Sequence, residues 1–105
     1  MSATDSLWGG SLTGVLFDPV DHACRLEILT IMDGQTSRFE IACDGVSELQ
    51  FRNAIPEPWS SAEVTEVHET LDQLNGRHTL ELILWSESAA ITIVCAGVVV
   101  QEVDR

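Results

Sequence analysis

Apolar and polar residues alternate with a period of two along most of this chain, the signature of strands with one face buried. From Ala23 to Met32, Cys24, Leu26 and Ile28 share one face, and Arg25 and Glu27 the other. Arg38 to Cys43 sets Phe39, Ile41 and Cys43 against Arg38 and Glu40. Val46 to Arg52 sets Leu49 and Phe51 against Glu48, Gln50 and Arg52. Ser11 to Phe17 alternates more loosely and ends at Asp18-Pro19, a turn signal. Thr79 to Trp85 and Ala90 to Ala96 are nearly continuous apolar runs, which predicts interior positions in a sheet. Val98 to Val103 makes a last strand after Gly97. Asp33-Gly34 supplies the tight turn that hairpins prefer, and Asp44-Gly45 a second turn.

The segment from Trp59 to Gly76 supports two readings. As a helix near 61–74, it has Ser60 as N-cap with Glu63 three residues on, a capping box. Val64, Val67, Leu71 and Leu74 then fall on one face, and Asn75-Gly76 closes the C-terminus. As a strand, it turns at Asn75-Gly76 into a two-residue hairpin that pairs Leu71 with Leu80 and Val67 with Leu84. Its β-branched Val64, Thr65, Val67 and Thr70 fit that reading. Either way the fold class is mainly β, an antiparallel two-sheet β-sandwich or meander, with or without the one short helix.

A length of 105 residues with 45% apolar and 21% charged residues describes one globular domain. We place an N-terminal arm at 1–10 and a single β-rich domain at 11–105. MSATDSLWGG has neither a basic start nor an apolar h-region, which predicts a cytoplasmic protein. Cys24, Cys43 and Cys95 form an odd set without a close pair, which predicts reduced, buried thiols.

Charge changes the picture most. Seventeen carboxylates against five basic residues give a net charge of -12, and every basic residue is an arginine. The carboxylates run from Asp5 to Asp104 without a long block, so they belong to the surface of a folded body. Arginines scattered at 25, 38, 52, 77 and 105 cannot neutralise a phosphate track, which argues against nucleic acid and against an anionic membrane. The same field attracts a basic protein partner.

Catalytic chemistry finds no foothold. No GxSxG elbow, phosphate loop or dinucleotide fingerprint occurs, and no cysteine sits in a basic setting. His22, His68 and His78 with the three cysteines offer zinc-ligand types, but their spacing fits no standard zinc module. The expectation is a protein that is not an enzyme and uses no cofactor or metal. One stretch reads as a recognition surface: the proline-stiffened loop with Glu57 and Trp59, followed by Glu63, Glu66, His68 and Glu69. The competing reading has Trp59 capping the core beneath its own loop and the glutamates forming a solvated face.

Three segments, Asp21-His22-Ala23-Cys24-Arg25-Leu26-Glu27-Ile28, Asp44-Gly45-Val46-Ser47-Glu48-Leu49-Gln50-Phe51 and Trp59-Ser60-Ser61-Ala62-Glu63-Val64-Thr65-Glu66-Val67-His68, carry a resemblance across residues 12–103. The chain resembles small bacterial β-rich proteins, some of them immunity proteins of polymorphic or contact-dependent toxin systems. That resemblance implies a cytosolic protein that binds and neutralises one cognate toxin domain. It assigns no binding residues. The alternative expectation is a structural or assembly module, a homodimer joined by sheet edges or by an apolar patch around Trp8, Trp59 and Trp85.

Overall fold

The computed structural model describes residues 7–103. They form β1 (Ser11–Asp18), β2 (Ala23–Met32), β3 (Gln35–Asp44), β4 (Glu48–Asn53), β5 (Ala62–Asp72), β6 (Arg77–Leu84), β7 (Ala89–Cys95) and β8 (Gly97–Val103). Hydrogen bonding runs through all of them in one open antiparallel sheet, in the order β4-β7-β6-β5-β1-β2-β3-β8. The fold is mainly β, with no α-helix among the described residues. β6 and β7 each have a neighbour on both sides, the interior placement that their apolar runs predict.

Local chemistry explains the elements. Asp33 and Gly34 take φ of 54° and 78°, and Met32 pairs directly with Gln35. Two left-handed residues in a two-residue loop match the right-handed twist of the flanking strands. The helical reading of 61–74 is overturned, because Ala62–Asp72 is β5. A bulge between Val64 and Glu66 makes Thr65 an extra residue, and its Oγ1 donates to the Ile83 carbonyl at 3.0 Å. One extra residue flips the facing of everything after it. Val64 and Val67 therefore both face the core, at 0% and 3% exposure, although three positions apart. That spacing is what imitated a helix. Leu71 and Leu74, which complete the helical stripe, are exposed instead. The hairpin loop is Gln73–Gly76 rather than Asn75-Gly76 alone, so Val67 pairs with Leu82 and Leu71 with His78. The offset from the expected pairing is two residues, which leaves Val67, Leu71, Leu80 and Leu84 on one face as expected.

β1-β2-β3 is one meander and β5-β6-β7 a second, and the strand following each one leaves it. β4 pairs with β7, and β8 pairs with β3. Exchanging β1–β4 with β5–β8 reproduces the same strand order, so the topology has internal two-fold symmetry. The meanders join through Ser11↔Glu63 and Leu12↔Ala62, extended by Gly9 N–H to Val64 O and Val64 N–H to Gly10 O. The symmetry reaches local detail. β1 carries a bulge between Leu12 and Gly14, and Thr13 Oγ1 contacts the partner-strand carbonyl of Glu27 as Thr65 Oγ1 does that of Ile83.

Chain connectivity forbids a flat sheet. β7 and β8 lie six ladder steps apart, roughly 29 Å at strand spacing, yet only Ala96 separates them in sequence. The sheet therefore curls until its two ends meet. At that meeting point the expected Asp44-Gly45 turn is a crossover into the other half, not a hairpin. Gly45 has φ of 60°, Ala96 N–H donates to Asp44 O at 2.8 Å, and a Cβ at position 45 would lie 2.7 Å from Ala96 Cβ.

Curling brings both halves onto one core: Leu26, Ile28 and Ile41 cluster with Leu80, Leu82, Leu84 and Ile93. Cys24, Cys43 and Cys95 are free thiols buried in it. Burial pushes the pKa of each thiol upward, and the neighbouring Cys95 and Cys24 thiols push that of Cys43 further in the same direction. Residues 1–6 of the expected arm lie outside the described residues. Its Leu7 is fully buried in the core.

Candidate functional site

The six residues singled out in the sequence fall into three places. Glu57 and Trp59 lie on the loop from β4 to β5, Glu57 exposed and Trp59 half-buried. Glu63, Glu66 and His68 point away from the core on β5. Glu69 stands apart, because alternation two residues on from Val67 puts it on the same face, where its Oε2 lies 3.1 Å from His78 Nδ1.

The outward group forms a stripe. Glu66 Oε1 lies 2.7 Å from His68 Nε2, and Glu81 on β6 pairs directly opposite His68. Trp8 stacks edge-on against the His68 ring with centroids 6.0 Å apart. Among the described residues one arginine–carboxylate ion pair occurs, Arg38 Nε to Glu27 Oε2 at 3.5 Å. Arg77 is committed to the Gly45 carbonyl at 2.8 Å. Most of the carboxylate charge is therefore uncompensated by nearby cations, which leaves a negative field at the surface.

Trp59 belongs to a different feature. It packs against the core with Trp85, ring centroids 4.8 Å apart and planes 89° apart, and against Phe51 at 6.1 Å. Trp85, Ser86 and Glu87 hold φ of 48°, 54° and 84° in the β6–β7 turn. A left-handed tryptophan is strained, by about 1 kcal/mol or more. Trp85 N–H donates to Glu63 O and Ser86 N–H to Thr65 Oγ1, and these bonds hold the turn in place. Trp8 lies apart from this pair, over His68, so the three tryptophans do not form one patch.

Beside Trp59 the core face is open. Val15 pairs with Leu26, Phe17 with Cys24, Leu49 with Ile93 and Phe51 with Ile91, so all four side chains face inward. Nevertheless Val15, Phe17 and Phe51 are 42%, 44% and 56% exposed. Val15 and Phe51 border a cleft of about 320 Å³ between β1 and β4, lined also by Leu12, Leu49, Trp59 and Ile91. A second hollow, with Asn53, Ile55 and Glu57, shares the Phe51–Trp59 wall. Sequence reasoning identified Leu49 and Phe51 as core-facing, but alternation carries no signal that β4 is an edge with nothing beyond it.

No group of three or more His, Cys, Asp or Glu arranged to hold a metal occurs among the described residues. No described helix is long and apolar enough to cross a membrane. Neither a protein-family profile nor a curated protein matches this chain.

Proposed function

We propose that this chain is a non-enzymatic acidic binding protein of immunity type, which binds and occludes a basic toxin domain in the cytoplasm. The observation that carries this reading is the carboxylate surface, in particular Glu66 and Glu81 beside His68 with Glu63 further along β5, with one arginine–carboxylate ion pair among the described residues. Such a field steers a cationic partner into encounter, and carboxylates can stand where its phosphate-bearing substrate would lie. The three buried free thiols fit a reducing compartment. In this reading the two halves act as layers of a β-sandwich, one of which presents the carboxylates.

The test is association with a basic toxin domain, followed by stopped flow across a salt series. The rate should fall steeply as salt rises, and Glu66→Lys with Glu81→Lys should slow it about tenfold at low salt. A rate independent of salt would overturn the steering argument. A second reading, a homodimeric assembly module, draws on the free β8 edge, which runs Val98, Val99 and Val100 without a proline or bulge. Sedimentation equilibrium separates the two.

A further inference from the structure

We propose that the open corner beside β4 receives an extended segment of a partner protein, added to the sheet as a ninth strand. Three observations converge. First, β4 is an edge. Ala54 N–H donates to Ser88 O at 2.9 Å, and alternation along an antiparallel ladder then turns the backbone groups of Glu48, Gln50 and Arg52 toward β7. Those of Leu49 and Phe51 face outward, free to pair with a new strand. Second, the cleft lies beneath that edge on the core side, so alternate side chains of an added strand would descend into about 320 Å³ of apolar space. Phe51 at 56% and Val15 at 42% exposure are the surfaces they would cover. Third, the other edge offers no such apolar space: the hollow at its end is lined mainly by polar residues, among them Gln35, Arg38 and Glu102. Val98 and Val100 of β8 face the core half-buried, and β8 lies against β6.

The occupant is an extended segment with apolar residues at alternate positions and Lys or Arg between them. Its basic character rests on the reading of the acidic surface above. Its alternation rests on β4 alone.

A randomised dodecapeptide display library, selected against the full chain, tests this. Enriched sequences should alternate apolar residues with Lys or Arg, and the best peptide should protect the Leu49 and Phe51 amides from hydrogen exchange. Val15→Trp, which fills the cleft, should weaken that peptide about tenfold or more. N-methylating the peptide at its β4-facing amides should do the same with the protein untouched. Overturning outcomes are no enrichment, enriched peptides without alternation, or protection at Val98–Gln101 or along β5 in place of β4. A dimer whose Leu49 and Phe51 amides are already protected without peptide also overturns it, since the occupant is then a second copy. Alternating peptides without basic residues would sink the basic-partner reading while supporting strand addition. Basic peptides bound on β5 would do the reverse.

Discussion

Val15 and Val67 occupy equivalent positions, two residues beyond the symmetry-related bulge threonines Thr13 and Thr65, yet Val15 is 42% exposed and Val67 3%. Around Val67 the corner is closed. β8 lies against β6, and the next inward position after Val67 is Glu69, paired with His78. Around Val15 the corner is open. The next inward position is Phe17, 44% exposed, and β4 makes no comparably close approach to β2. Trp59 packs on the core at the open corner, backed by Trp85 in a strained turn. The same topology thus closes one corner and leaves the other open, with Trp59 of the β4–β5 loop and Trp85 of the β6–β7 turn at its border.

The comparison can be broken by mutation. Ile93→Ala, fully buried where both halves meet, should cost about 2–5 kcal/mol in urea unfolding, whereas Phe51→Ala in the open corner should cost less than about 1 kcal/mol. Equal losses would mean that the cleft is as well packed as the core. Next in size is the alkaline limb. The three thiols have pKa values raised by burial, so above the ordinary value of 9.0 the unfolded chain releases protons that the folded chain holds. Stability is therefore full below that pH and should fall as pH rises above it. Cys43→Ala should flatten the limb by one thiol's share in pH-dependent unfolding. Gly45→Ala should cost about 1–3 kcal/mol, since φ of 60° and the approach to Ala96 both oppose a Cβ. That change strikes the crossover serving both edges, so both should loosen together in hydrogen exchange. Smallest is Phe17→Glu, which gives the open corner the residue found at the closed one. It should move stability by about 0.5 kcal/mol or less, and a loss of several kcal/mol would show that Phe17 is core.

Much of this fold was legible where facing depends on nearest neighbours. β2, β3 and the Asp33-Gly34 hairpin follow from alternation and from one dipeptide's tolerance of left-handed backbone. The β5 region was ambiguous because a bulge converts a two-residue period locally into three, and Val64 and Val67 then mimic a helix. Asp44-Gly45 carries the same turn chemistry as Asp33-Gly34 but leads to another half of the sheet. Only the competition among distant strands decides between those outcomes. Trp59 and the carboxylates were visible as candidates. The outward facing of Glu66 and His68 was not, since it hangs on the single extra residue Thr65. The cleft was invisible, because an inward-facing Phe51 looks the same in sequence whether or not anything covers it.

The exchange of fourth strands between the meanders sets an order of assembly. β1-β2-β3 and β5-β6-β7 can each form from contacts close in sequence, on a fast timescale. β4 and β8 cannot pair until the opposite meander exists, and their partners lie far along the chain, as Asp44 with Gly97 and Glu48 with Val94. Closure of the Gly45–Ala96 corner is then the slow event that locks both halves at once. Two chains that meet before this closure can donate their fourth strands to each other, so concentrated refolding should trap an interlocked dimer that dilution releases only through unfolding.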